Sequence, residues 1–307
     1  MKNSIVIPTK DEPYIYKCLK SLPLAKGTEA VVVDDMLSSE DYSRKLRDYC
    51  KNHQGIRYVK NERPGLPANR NKGVEHSKGK NVFFIDADCL ADKEWVSQME
   101  KSLEKDDFVI GNVIYNKKKR RPFERIIQNS SNLLGANFGV RRKVAEEIKF
   151  DERFFFREET DFFLRLKKRG FTWTFNSDAK VYHKSSRYTI KKFILERKKY
   201  SGEVLFFKKD GKESHKLVPH LGRILYPQEL LFIILIPLSL LSEFRLFLFP
   251  LFYIFPGLMY IKRDFKRKRW SFYIPDLIIL IICIPLTMYV KRFAFWKGAF
   301  KYKFLVI

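Results

Sequence analysis

The first 115 residues alternate short β-branched runs with amphipathic stretches: SIVIPT, YIYKCLKSL, EAVVVDD, DYSRKLRDYC, IRYV, ANRNKGVEHSK and NVFFID. Strands alternating with helical patterns predict crossover units and a mostly parallel sheet, an α/β fold. Tyr42, Leu46 and Tyr49 fall at i, i+4 and i+7, one face of a helix that Ser38 or Ser39 can cap. From 116 to about 210 the pattern loosens into GANFGVRRKVAEEI, FFFREETDFFLRLKKRG, FTWTF and AKVYH. This stretch reads as a second half packed on the same sheet.

Beyond residue 224 the pattern changes sharply. Residues 230–242, 246–261 and 277–290 carry no charge. Each falls short of the ~18 uncharged residues that by themselves mark a spanning helix. A 16-residue segment reaches about 24 Å at a rise of ~1.5 Å per residue, against a hydrocarbon core of ~30 Å. Spanning therefore draws on flanking residues, Glu229 and Asp276 among them. A hairpin, a re-entrant pair and interfacial helices stay open, beside three buried core helices. KRDFKRKR, between the second and third segments, predicts a cytoplasmic juxtamembrane loop touching anionic headgroups. A basic tail (Lys291, Arg292, Lys297, Lys301, Lys303) sits awkwardly with a third crossing. The expected organisation is 1–115 and 116–215 as two halves of one catalytic domain and 224–307 as a helical membrane region. The expected location is the cell membrane, with the catalytic domain on its cytoplasmic face.

Charge adds a partner class. Sixty Lys and Arg against 35 Asp and Glu leave a net +25, which points to a polyanionic partner. Basic residues concentrated beside apolar segments favour membrane lipids over nucleic acid. Cys18, Cys50, Cys89 and Cys283 are scattered, with no CxxC pair and no His at metal-ligand spacing, so the spacing indicates neither a disulfide framework nor a zinc site. The opening MKNSIVIPTKDE is too short an apolar run for a signal peptide, so the N-terminal half is expected not to be exported.

Asp34 and Asp35 end one apolar run and Asp86 and Asp88 another, so four carboxylates are expected at the carboxyl edge of the sheet, where open parallel sheets bind ligands. In extended backbone Asp86 and Asp88 point the same way. Two such carboxylates suit Mg²⁺ or Mn²⁺ completed by waters and substrate phosphates. A strand ending in Asp-x-Asp is used by haloacid-dehalogenase-type phosphatases, where Leu90 takes a Thr/Val position, and by glycosyltransferases.

The remaining motifs decide between them. SIVIPTKDE, VVVDD, RPGLPANRNKG, FFIDADCL and the stretch from GANFGVRRK to FFFREETDFFLRLKKRG occur in the order of the family 2 glycosyltransferases of GT-A fold, which residues 3 to 210 resemble. The resemblance implies that Thr9, Glu12, Asp34 and Asp35 line a nucleotide pocket, with Met36-Leu37 where Gly-Ser is usual. It implies that Gly65 makes a turn and that Arg70 and Asn71 reach the nucleotide or diphosphate, with Asn69 where Ala is usual. Asp86 joins the nucleotide-sugar site, while Asp88 and His183 fall at the metal. Glu158 and Glu159 take the places of the catalytic Glu-Asp pair, with Glu159 as general base, and Asp161 and Arg165 also match. Read from the residues alone, Asp161 and Arg165 are an i, i+4 pair above an inward Phe162 and Leu166.

The implied activity is a metal-dependent inverting transfer of a sugar from a nucleoside-diphosphate donor. The Q-x-x-R-W motif of processive synthases has no counterpart in LERKKYSGEV, and Arg269-Trp270 follows Lys266, so single addition is expected. A membrane-held, lipid-linked acceptor explains the apolar third, and KKKRR (117–121) is a candidate phosphate contact. The alternatives are a polyprenyl-phosphate sugar synthase and a non-catalytic scaffold that binds polyanions at a membrane surface.

Overall fold

The structure, a computed structural model, describes residues 1–114, 124–125, 135–184, 186–187, 189–217, 227–265 and 274–304. Its elements run β1 (Asn3–Thr9), α1 (Ile15–Ser21), β2 (Thr28–Asp34), α2 (Glu40–Lys51), β3 (Ile56–Lys60), α3 (Leu66–His76), β4 (Asn81–Ile85), β5 (Cys89–Ala91), α4 (Trp95–Leu103) and β6 (Phe108–Ile114). They continue β7 (Glu124–Arg125), β8 (Asn137–Arg141), α5 (Arg142–Ile148), α6 (Glu158–Lys168), β9 (Trp173–His183), β10 (Ser186–Arg187) and α7 (Ile190–Leu195). A 3-10 segment (Glu196–Gly202) leads to α8 (Glu203–Leu217), α9 (Pro227–Leu241), α10 (Arg245–Phe265) and α11 (Ile274–Tyr302). The chain forms two compact units, Met1–Asn116 with Ile127–Lys184, and Lys117–Ile126 with Ser185–Ile307.

In the first unit an eight-stranded sheet has the order β3-β2-β1-β4-β8-β6-β9-β5. The pairs β2–β3, β1–β2, β1–β4 and β6–β9 are parallel, and β8 and β5 run against their neighbours. Strands β1 and β2 are buried along their whole length, as continuous apolar runs in a helix-covered parallel sheet must be. The strand order reverses between β1 and β4, and the crevice outside the carboxyl ends there is the natural ligand position. Parallel register sets Thr9, Asp34 and Lys60 in one row along that edge.

A buried polar anchor aims β9 at the same edge. Asn137, fully buried, accepts a bond from Trp95 Nε1 at 2.8 Å and donates to the carbonyls of Asn112 (2.9 Å) and Ala179 (2.8 Å). The register of β6 on β9 shifts between Gly111 and Asn112, beside this amide. A Cβ on Gly111 would stand 2.4 Å from Asn137 Nδ2, so glycine alone fits. Past this irregularity β9 runs on to His183.

One helix expectation gives way to a tertiary contact and another forms as the local spacing predicts. Ser39 holds the N-cap position of α2, yet its N–H (2.9 Å) and hydroxyl (2.8 Å) both donate to Asp11 Oδ1 instead of closing the helix. Asp161 and Arg165 do form the i, i+4 pair at 2.8 Å over a buried Phe162 and Leu166, and Arg165 also donates to the carbonyls of Ile148 and Lys149.

The second unit is helical. Phe193, Phe232, Ile236, Leu280, Ile284 and Met288 form its core, and Tyr253 and Tyr289 donate across helices to the carbonyls of Ile282 (3.0 Å) and Ile233 (3.2 Å). Among the described residues, Ile274–Tyr302 is the one helix long and apolar enough to cross a membrane. Leu231, Ile234 and Leu238 of α9, Phe247 and Leu251 of α10, and Ile278 and Ile282 of α11 are exposed. KKKRR, Arg269-Trp270 and the latter half of KRDFKRKR lie outside the described residues.

Candidate functional site

A cleft of about 430 Å³ opens at the carboxyl ends of β1, β2 and β3, lined among others by Thr9, Lys10, Asp35, Gly65, Asn69 and Phe155. Asp35 organises it. Its Oδ1 accepts from Leu37 N at 2.9 Å, and its Oδ2 accepts from Gly65 N and Asn69 Nδ2, both at 2.8 Å. Gly65 (φ 105°, ψ 154°) takes a backbone that side-chain-bearing residues rarely adopt, which turns the chain into α3. Asn69 passes the link on by accepting from Asn61 Nδ2 at 2.7 Å. Thr9 Oγ1 pairs with Tyr42 OH at 2.5 Å.

Asp34 is placed differently from the expectation. It is fully buried, with Oδ2 accepting from Ser43 (2.5 Å), Tyr58 (2.8 Å) and Lys60 (3.0 Å), so Asp35 is the member of the pair that faces the cleft. Asp34 Oδ1 has no hydrogen-bond partner among the described residues. Glu12 accepts from Tyr14 N at 2.9 Å and lies 3.5 Å from Lys184 Nζ. Asp11 adopts φ 48°, and its bonds from Ser39 hold its carboxyl below the usual carboxylate range.

Residues 86–88 form a turn, not extended strand, so period-two alternation does not apply to them. The turn is fixed from three sides: Cys89 N (3.0 Å) and Cys18 Sγ (3.7 Å) donate to the Asp86 carbonyl, and Lys184 N donates to the Asp88 carbonyl at 2.9 Å. The two carboxylates consequently meet different partners. Asp86 Oδ1 lies 3.6 Å from Arg70 Nη2, and Asp88 Oδ1 lies 3.4 Å from His183 Nε2.

His183 Nδ1 is 2.9 Å from the Lys184 carbonyl, which can only accept, so Nδ1 carries a proton. With the proton on Nδ1, Nε2 faces the Asp88 carboxylate, and these two side chains could together hold a divalent cation. Imidazole and carboxylate together offer the mixed nitrogen and oxygen donors that a divalent transition metal accepts.

Arg70 is expected at the nucleotide but is 1% exposed and held on several sides. Nη1 donates to Glu158 at 2.9 Å and Nη2 to the Gly135 carbonyl at 3.1 Å, while the guanidinium lies 5.6 and 5.5 Å from the ring centres of Phe138 and Phe150. Asn71 corrects the reading more fully. Its amide donates to the Phe150 carbonyl and to Glu152, both at 2.9 Å, and accepts from Phe150 N at 2.8 Å, so it clamps the segment before α6 and has no amide group left for a diphosphate.

Arg157, left-handed at φ 72°, ψ 15°, brings the chain into α6 and sets Glu158 and Glu159 in its first turn. Burial, and then the Glu158 carboxylate, push the Glu159 carboxyl up to about 8, against the lowering pull of Arg70. A carboxylate with that affinity for protons is suited to accept one near neutral pH.

Sequence reasoning missed Tyr58 and Lys60 beside Asp34, and Phe155, which is exposed at the cleft. Lys60 comes beside Asp34 only through the parallel register of β2 on β3. Nothing in the sequence marks Phe155 apart from its two Phe neighbours.

A family model described as glycosyl transferase family 2 matches residues 4–183, and one described as glycosyl transferase family group 2 matches residues 119–295. The putative glycosyltransferase EpsH of Bacillus subtilis is 33% identical over 105 residues, covering 33% of this chain and 30% of that protein. An uncharacterized glycosyltransferase of Methanocaldococcus jannaschii is 24% identical over 183 residues, 53% of this chain and 63% of its own. The chain covers 19% of the length of its Rickettsia felis and Rickettsia conorii relatives. In structure it is similar to the mannosyltransferase PcManGT of Pyrobaculum calidifontis, solved with GDP-Man and Mn²⁺, with a TM-score of 0.61 at 16% identity over 95% of this chain and 87% of that one. That likeness carries the expected GT-A fold. With the family model spanning well over half the chain, this protein belongs to glycosyl transferase family 2.

Proposed function

We propose that this chain transfers a sugar, with inversion, from a nucleoside-diphosphate sugar to a membrane-held, lipid-linked acceptor. The observation that carries the reading is the Arg70 bridge: one buried guanidinium contacts Asp86 of the Asp-x-Asp turn and Glu158 of the carboxylate pair. Donor-side and acceptor-side motifs thereby meet in one unit.

In this reading the nucleotide occupies the cleft bounded by Thr9, Asp35 and Gly65. A divalent cation, Mn²⁺ or Mg²⁺, held by Asp88 and His183 supplies positive charge where the diphosphate leaves. Glu159 takes the proton of the acceptor hydroxyl once that oxygen stands within about 2.6–3.2 Å. The oxygen then attacks the anomeric carbon from the face opposite the diphosphate, so the new C–O bond forms as the old one breaks. Arg70 and the α6 N-terminus hold Glu158 and Glu159 in place, and Glu159 being one methylene longer than the family's usual Asp alters its reach more than its acidity.

The exposed apolar residues of α9, α10 and α11 support a membrane seat, and with it an acceptor presented at the bilayer. The basic composition supports contact with anionic lipid on the cytoplasmic side.

Calorimetric titration of the full chain in detergent with UDP, GDP and dTDP, with and without Mn²⁺, tests the reading. One nucleotide is expected to bind in a metal-dependent way, and Asp88→Asn to lose that dependence. Failure of a folded protein to bind any nucleotide would overturn it.

A further inference from the structure

We propose that Asp88, Cys89 and His183 form a three-ligand site of mixed oxygen, sulfur and nitrogen donors that binds Zn²⁺ through the Cys89 sulfur. The inference rests on the reading of Asp88 and His183 as the cation pair and adds a ligand to it.

Spacing along the sequence argued against zinc, because Cys89 and His183 are far apart in the chain. Sheet register reverses this. Cys89 opens β5 and His183 closes β9, and the two are directly paired across the antiparallel ladder, so their side chains leave the same face of the sheet. One ligand atom from each of Asp88, Cys89 and His183 lies within 4.8 Å of the others. Cys89 is fully buried and His183 nearly so, while Asp88 keeps access to the open side. The second-neighbour contacts that orient metal ligands are also present: the Lys184 carbonyl fixes the His183 ring, and the Lys184 N–H fixes the Asp88 backbone.

Three protein ligands with a fourth position open are the donor count of a catalytic-type zinc site. Thiolate and imidazole favour Zn²⁺ over Mn²⁺, which prefers oxygen donors and binds more weakly at almost any nitrogen or sulfur site. When Zn²⁺ binds, the Cys89 thiol gives its proton to solvent and its sulfur takes the metal. A four-coordinate ion leaves one position for a diphosphate oxygen, where an octahedral ion leaves several. Zinc at this site therefore displaces the cation that supports donor binding, and the chain is zinc-sensitive.

The test uses full-length protein stripped with chelator, with Co²⁺ and Cd²⁺ as spectroscopic probes and Zn²⁺ as competitor. One equivalent is expected to bind with a sulfur-to-metal charge-transfer band that Zn²⁺ abolishes. Cys89→Ser is expected to lose the band, and Cys18→Ser, which alters the neighbouring buried thiol, to keep it. Cys89→Ser should also cost at least the roughly 10–100-fold in Zn²⁺ affinity that loss of an outer-shell partner costs, and much less in Mn²⁺ affinity. Circular dichroism and thermal melting report whether each variant is folded. Metal binding without a sulfur band, or a band that survives Cys89→Ser, overturns the thiolate ligand. If Mn²⁺-dependent nucleotide binding persists in that case, the donor-site reading stands and only this inference falls. Loss of all metal binding in the folded parent protein overturns both.

Discussion

Arg70 Nη1 lies 2.9 Å from Glu158 Oε1, and both side chains are almost wholly buried. The same guanidinium stands 3.6 Å from Asp86 and over two phenylalanine rings, so a single side chain ties the Asp-x-Asp turn to the helix carrying the carboxylate pair. Removing one partner of a buried ion pair leaves the other charged and desolvated. Arg70→Ala is therefore expected to destabilise by about 3–5 kcal/mol. Arg70→Lys keeps the charge without the planar fork and cannot serve Glu158, Asp86 and Gly135 together. A folded Arg70→Lys protein with an unaltered transfer rate would contradict the bridging role, and urea titration with single-turnover assays separates the two effects.

The pH profile tests Glu159. With its folded pKa raised to about 8, the basic form is populated only as pH rises through that value, so transfer should climb along an acid limb near there. Glu158→Gln removes a charge that raises the pKa and should move the limb to lower pH. The stability sign runs the other way. Between about 4.5 and 8 the folded state binds the proton that the unfolded state has released, so this group's contribution to stability falls as pH rises across that window. Glu159→Gln should abolish transfer while raising Tm at pH 8.5 by about 1–2 °C, the shift given by ~1 kcal/mol in a chain of 307 residues. Melting curves at pH 6 and 8.5 give the comparison.

Asn69 stands where relatives of the motif usually carry Ala, and here it links Asp35 to Asn61. Asn69→Ala leaves the Asn61 amide without its acceptor and Asp35 Oδ2 with Gly65 alone. A loss of about 1–3 kcal/mol follows from one unsatisfied buried group. Nucleotide affinity should fall with it, because Asp35 and the Gly65 turn line the cleft. Calorimetry on the variant would refute the link if affinity were unchanged.

Asn71→Ala should lower stability without lowering nucleotide affinity. All three of its amide bonds go to Phe150 and Glu152, so stability should drop by about 2–3 kcal/mol with buried backbone groups left unpaired. Nucleotide affinity of the folded fraction should stay within about twofold, the scatter expected for a residue outside the cleft. A selective affinity loss with no change in Tm would return Asn71 to the nucleotide.

Periodicity and apolar density determined much of this protein. The buried runs SIVIPT, EAVVVDD and NVFFID became β1, β2 and β4 because a parallel sheet covered by helices demands apolar residues on both faces. The apolar third became the helices α9, α10 and α11, and the motif order located most of the stretches from which the candidate site is built. Partnership was beyond its reach. Asp34 and Asp35 are adjacent and alike in sequence, yet successive residues at a strand end face opposite ways, which buries one among Ser43, Tyr58 and Lys60 and turns the other to the cleft. Arg70 and Asn71 are likewise neighbours on α3, and only the packing of the segment before α6 makes one a bridge and the other a clamp. Cys89 and His183 became neighbours through antiparallel register, a long-range pairing that no local spacing encodes.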